Sequence, residues 1–199
     1  MFNDAEPTFL SPAVGNAVNS AEVRRVFLDL DKYNRLLDRL SVDAYARPIR
    51  PLVLTLTLAA TGRRIGEVLM LRIRDVDFER AVATWRIEKK RRDDYYVTLP
   101  IPRRLADVLQ KYATWNAVSD LFFPVSRTQA YYDVKRTLKA YGLVAWRPHD
   151  LRHAFILKAL LETRSIELVR RYTQHASYSE LLEYARIVGL ELDKPPFEL

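Results

Sequence analysis

The chain contains no cysteine. Disulfides and thiolate-bound metals are therefore excluded from any account of its stability or chemistry. Histidine is scarce as well, three in 199 residues. A multi-histidine metal centre is a poor expectation, and neither a metal nor a cofactor is expected. Long hydrophobic runs are missing: the most apolar stretch, residues 51–60, has only about half of the roughly 20 residues that a bilayer-spanning helix needs. Residues 1–10 carry Asp4 and Glu6 and lack the apolar centre of a secretory signal. These absences lead us to expect a soluble, cytoplasmic protein with no membrane partner.

What is present is a globular composition with a basic bias. Apolar residues make up 49% of the chain, enough for one domain with a substantial core. Lys and Arg outnumber Asp and Glu by 32 to 25, giving a net charge of +7. The excess is uneven. Residues 1–45 are slightly acidic, whereas 63–104 and 135–171 hold most of the surplus. A basic face attracts polyanions, because phosphates bound by Lys and Arg release their counterions. Nucleic acid is the expected partner, with a merely solvated basic surface as the alternative.

Residues 1–18, with Pro7, Pro12 and Gly15, read as a flexible leader or linker. Asn19 and Glu22 have the spacing of a helix capping box. Beyond them Val23, Val26, Phe27, Leu30, Tyr33, Leu36, Leu37 and Leu40 form one apolar helical stripe. Pro48 and Pro51 punctuate the start of a helix through 52–60, which Thr61-Gly62 interrupts; 65–71 reads as a further short helix. The period then changes. Residues 83–87 and 95–99 are β-prone runs around a charged turn, and predict a hairpin. Pro102 opens a helix over 103–115, and helical patterns follow near 127–141, 149–162, 165–173 and 179–188. The predicted class is mainly α with a small antiparallel β-sheet (α+β). Trp85, Trp115 and Trp146 are assigned to packing.

Three separated segments set polar residues in apolar surroundings. The first runs from Thr61 through Gly62, Arg63, Arg64, Ile65 and Gly66 to Glu67, followed by Leu69, Leu71, Asp75 and Asp77. The second is Pro148-His149-Asp150-Leu151-Arg152-His153. The third is His175, with Tyr184 nine residues later. Singly each is ordinary, since a lone tyrosine in an amphipathic helix is usually core. In this order and spacing they resemble the tyrosine recombinase (phage integrase) family, whose boxes are Thr-Gly-x-Arg-x-x-Glu, His-x-x-Arg, and a histidine nine residues before a nucleophilic tyrosine. Arg64 and Glu67 match the first box, His149 and Arg152 the second, and His175 and Tyr184 the third. The resemblance covers roughly residues 19–189, which it makes a catalytic domain of the DNA breaking-rejoining fold, with 190–199 as a C-terminal tail. Three positions depart from the family pattern: Thr173-Gln174 stands where Leu-Gly is usual, and Ala154 where Thr is usual. Typical members carry a separate DNA-clamping domain upstream, where this sequence has only the short leader, so the expectation is either a catalytic-domain fragment or a naturally minimal member.

The resemblance implies site-specific cleavage and rejoining of double-stranded DNA through a 3′-phosphotyrosyl bond to Tyr184. Paired guanidiniums, Arg64 and Arg152, would hold the charge that gathers on the non-bridging oxygens. His149 would be the general base for the phenol, His175 a phosphate ligand, and Lys89 or Lys90 on the hairpin turn the general acid. Glu67 and Asp75 would orient the arginines or buttress the core. Arg91, Arg92, Arg103 and Arg104 are candidate DNA contacts. His153, directly after Arg152 on the helix, is read as structural and pointing elsewhere. The chain is expected to be a monomer when free and a tetramer on paired DNA sites, its tail a candidate for exchange between subunits. The competing readings are a catalytically silent DNA-binding protein of the same fold, a type IB topoisomerase, and a helical module for RNA or protein.

Overall fold

A computed structural model describes residues 19–88, 95–116, 119–175 and 178–190. Among these residues α-helices dominate and a single three-stranded sheet interrupts them, in the predicted α+β class. Helix α1 (Ser20–Leu28) is opened by Asn19, whose side chain accepts from the Glu22 amide at 3.4 Å. Helix α2 (Leu30–Ala46) follows after one residue. The single stripe read from the sequence is thus two helices: Asp29 leaves helical geometry, and its carboxylate bonds Lys32 and the indole N–H of Trp146. One non-helical residue hardly shifts the phase of the apolar positions, so Val23 and Val26 of α1 and Tyr33, Leu36 and Leu40 of α2 are all buried.

Helix α3 (Arg50–Thr61) is the central pillar, in contact with α2, α5, α6 and α7. It is buried on every side from Leu52 to Ala59. Its threonines satisfy their hydroxyls within the helix: Thr55, Thr57 and Thr61 each donate to the carbonyl four residues back, at 2.6–2.8 Å. Gly62, at φ 61°, ends the helix in the left-handed conformation. A Cβ there would lie 2.4 Å from the Phe155 ring, so the chain reverses where only glycine fits.

Helix α4 (Ile65–Leu69) and a 3₁₀ turn (Ile73–Asp75) lead into the sheet. Strands β1 (Val76–Asp77), β2 (Val82–Arg86) and β3 (Tyr96–Pro100) pair antiparallel in that order, with Trp85 opposite Val97. The hairpin is the predicted one; β1 is an addition, too short to leave a pattern. Helices α5 (Arg103–Asn116), α6 (Arg127–Ala140), α7 (Pro148–Thr163), α8 (Ile166–Thr173) and α9 (Tyr178–Ile187) complete the fold. Trp146 is buried against Tyr33, ring centroids 6.3 Å apart, and this anchors the start of α7 to α2. Trp85 is likewise buried, whereas Trp115 is exposed and packs locally, under the Lys111 ammonium. No described helix is long and apolar enough to cross a membrane.

Candidate active site

The turn from α3 into α4 places two guanidiniums around one carboxylate. Glu67 is fully buried. Its Oε1 lies 3.2 Å from Arg64 Nη1, its Oε2 lies 3.7 Å from Arg63 Nη1, and the Arg64 amide donates to it at 3.2 Å. Glu67 therefore holds Arg64 and Arg63, while Arg152 takes its bonds elsewhere. Arg63, which sequence reasoning passed over, is buried with its guanidinium near the rings of Trp85 and Tyr172 and donating to the Tyr172 carbonyl. Burial weakens its hold on the proton and Glu67 opposes that effect. Its doubled arginine was the signal available in the sequence.

Helix α7 brings Arg152 to the same turn. Arg152 is buried; its Nη1 donates to the Gly62 carbonyl at 2.7 Å and its Nη2 to the Thr173 carbonyl at 3.1 Å. Nη2 also lies 3.2 Å from His175 Nε2. Burial, then Arg64 and Arg63, lower its proton affinity, but an arginine remains charged at neutral pH. The hydrogen bonds around His175 fix its tautomer. Arg152 can only donate, so Nε2 accepts; Nδ1–H then donates to Thr173 Oγ1 at 2.5 Å, and that hydroxyl donates to the Val169 carbonyl at 2.6 Å. Burial and the charges of Arg152 and Arg64 push His175 down to about 2, which keeps it neutral. Thr173, one of the departures from the family pattern, thus anchors this histidine. Gln174, a second departure, sits at φ 57°, where the usual glycine would be unstrained.

Tyr184 projects from α9 into the interior and is 3% exposed. Burial pushes its phenol up; Arg152 and Arg64 pull it down and Glu180 opposes them. Its Oη lies 2.5 Å from Nδ1 of His153. His153, read from the sequence as structural and pointing elsewhere than Arg152, is buried and touches Tyr184. The next residue on a helix faces about 100° away, but α7 is buried on consecutive residues from Asp150 to Ala154 and so has no outward face at this point. The ring of His149 meets that of His153 edge to face, centroids 4.5 Å apart.

Arg63, Arg64, Arg127, Arg147, His149 and Arg152 line one cleft of about 720 Å³, together with Glu22, Glu88, Ile65, Tyr131 and Pro148. Arg127 and Arg147 were not singled out from the sequence; Arg127 is held by Glu88 at 2.9 Å and Arg147 pairs with Glu22. Other expected site residues lie away from it. Asp75 caps its own turn, accepting from the Arg72 amide at 3.1 Å, and does not orient Arg64 or Arg152. Arg103 donates to the carbonyls of Phe78 and Glu79. Arg104 lines a separate apolar cavity with Tyr33, Leu37 and Phe155. Lys89, Lys90, Arg91 and Arg92 lie outside the described residues, as do the leader 1–18 and tail residues 191–199.

The family model described as the phage integrase family matches residues 26–188. Tyrosine recombinase XerA of Pyrococcus furiosus is 32% identical over 153 residues, covering 72% of this chain and 52% of the relative. Tyrosine recombinase XerA of Thermococcus kodakarensis is 28% identical, covering 73% and 54%. The chain spans about half the length of the curated relatives it matches. Among solved structures, a XerH site-specific recombinase bound to difH substrate in a pre-cleavage complex superposes with a TM-score of 0.61 at 24% identity, over 78% of this chain and 48% of the other. A XerA recombinase gives 0.62 at 23% identity, over 77% and 57%. At these identities the structures share the fold.

Proposed function

The chain belongs to the phage integrase family, and from that premise we propose that it cuts and rejoins double-stranded DNA at a specific site through a 3′-phosphotyrosyl bond to Tyr184. One observation carries the reading. Arg152 is locked by three partners beside Arg64, and both charges act on the Tyr184 phenol. Two fork-shaped cations beside a hydroxyl nucleophile suit a phosphodiester whose non-bridging oxygens gain charge during attack. The bond to Tyr184 conserves the energy of the phosphodiester, so rejoining needs no nucleotide cofactor. His149 faces the cleft where the phosphate would sit, and His175, with Nε2 accepting from Arg152 and Nδ1–H given to Thr173, acts on the phosphate through the orientation of Arg152. Lys89 or Lys90 remains the proposed general acid for the 5′ oxygen. On DNA, four copies on two paired sites complete the reaction; alone, the chain is proposed to be a monomer, which light scattering checks.

The decisive experiment is trapping on DNA nicked beside the cleavage site, so that the severed end diffuses away. A denaturation-resistant complex mapped to Tyr184 is the expected result. Tyr184→Phe should abolish it and leave DNA affinity within about threefold, since it removes one hydroxyl and keeps the ring. Binding without covalent capture across a library of sites would instead mark a silent DNA-binding protein of the same fold.

A further inference from the structure

The proton that leaves Tyr184 during attack needs a destination, and the helices around it assemble one. His153 Nδ1 is 2.5 Å from Tyr184 Oη. One nitrogen of the same ring and one oxygen each of Asp150 and Glu22 lie within 4.8 Å of one another. Glu22 comes from α1, Asp150 and His153 from α7, and Tyr184 from α9, so three helices bring hydroxyl, imidazole and two carboxylates together. That combination is how hydroxyl nucleophiles are activated elsewhere: a base on the nucleophile, and a carboxylate that orients the base and stabilises its cation. Resting on the phosphotyrosyl reading above, we propose that His153, rather than the box histidine His149, accepts the phenolic proton of Tyr184, with Asp150 and Glu22 stabilising the imidazolium.

The step balances. Tyr184 Oη forms a bond to phosphorus while its proton passes to His153 Nδ1. The bond from phosphorus to the 5′ oxygen breaks with its electron pair on that oxygen, which takes a proton from the lysine proposed above. Rejoining runs in reverse, and His153 returns the proton to Oη.

The charges facing His153 make it a weak base until substrate arrives. Asp150 favours the imidazolium; burial, His149, Arg152 and Arg147 oppose it and push the ring down to about 3. In the DNA-free protein the ring is therefore neutral, and the proposed role requires the tautomer with the proton on Nε2, which leaves the Nδ1 lone pair to accept from the phenol. Buried Asp150 Oδ1 and Glu22 Oε1 have no aligned hydrogen bond, although Arg25 lies 2.9 Å from the first and Arg147 pairs with the second. A phosphate entering the cleft brings negative charge among Arg147, His149 and Arg152. It offsets the cations that hold the ring neutral, so the base strengthens when substrate is present.

Single-turnover capture on nicked DNA tests this. Failure of wild-type protein to form a Tyr184 complex would overturn the phosphotyrosyl reading and this proposal with it; a wild-type complex isolates the question of the base. His153→Ala should then slow capture on the order of 10²–10⁴-fold with DNA affinity unchanged, and added imidazole should restore rate in proportion to its free-base fraction. His153→Asn keeps an acceptor near the Nδ1 position but cannot take the proton, and should stay slow. Capture by His153→Ala within threefold of wild type, His153→Asn at the wild-type rate, or no response to imidazole would each overturn the proposal. Should the variants fail to fold, nitrogen NMR of the wild-type protein decides. With only three histidines, His153 Nδ1 should be resolved as unprotonated and should shift in Tyr184→Phe; a protonated Nδ1 would overturn the assignment.

Discussion

At the scale of single residues, Arg152 carries the most consequences. Its guanidinium bridges the carbonyl that ends α3, the carbonyl that ends α8, and His175. A lysine supplies a point charge and cannot span these partners in one plane. Arg152→Lys should therefore cut covalent capture by about 10²–10³-fold while binding DNA nearly as well, measured by capture and by gel shift at one salt concentration. The buried histidines give a separate, pH-dependent prediction. His153 and His175 are held neutral, at about 3 and about 2, against an ordinary value of 6.5. The folded values are depressed, so the unfolded chain binds more protons below pH 6.5 and stability falls as pH drops through that point. The loss continues until the folded values are reached, and each histidine contributes about 1.4 kcal/mol per pH unit within the window. Denaturant titrations at pH 7.5 and 5.5 should show the fall, and it should shrink by roughly half in His175→Asn. An unchanged pH dependence in that variant would mean that His175 is not buried neutral.

At the scale of elements, the site depends on helix ends more than on helix faces. Gly62 shows this most clearly, because one residue stops α3, clears the Phe155 ring and presents its carbonyl to Arg152. Gly62→Ala forces a side chain into the left-handed region and into the ring 2.4 Å away. A cost of about 2–3 kcal/mol is expected, read as a melting temperature lower by roughly 5–10 °C, with slower capture because the Arg152 anchor shifts. Helix ends are also where the sequence is easiest to read: Asn19, Gly62 and Pro102 mark boundaries that the structure keeps. The three boxes are linked through Arg152, which bonds the Gly62 carbonyl of the first and His175 of the third. What stayed hidden has physical causes. Asp29 breaks a helix without disturbing the apolar period, and β1 has only two residues. His153 follows Arg152 by one position, and only the packing of α1 and α9 on both sides of α7 shows that the neighbouring face is interior too. Arg127 and Arg147 join the cleft through tertiary approach, for which no local pattern exists.

At the scale of the whole molecule, the question is whether DNA affinity comes from the total charge or from the cleft. A net +7 on 199 residues attracts any polyanion weakly. The cleft is different: five arginines line it against two glutamates, and two of the arginines are already paired at the rim, Arg127 with Glu88 and Arg147 with Glu22. A bound phosphate would replace a carboxylate at each of these pairs and release its counterions to solvent. The slope of log affinity against log salt should therefore fall by roughly 0.9 for each phosphate contact removed. Arg127→Ala should lower the slope by about that amount and weaken binding to every sequence alike, because a phosphate contact positions the protein without reading bases. Arg35→Ala removes the same charge from an exposed position on α2 outside the cleft and should leave the slope unchanged. If the two variants lower the slope equally, affinity follows net charge and the cleft is not the DNA path. Glu88→Gln supplies the opposite sign: with its carboxylate gone, Arg127 no longer has to exchange one anion for another, and affinity at low salt should rise.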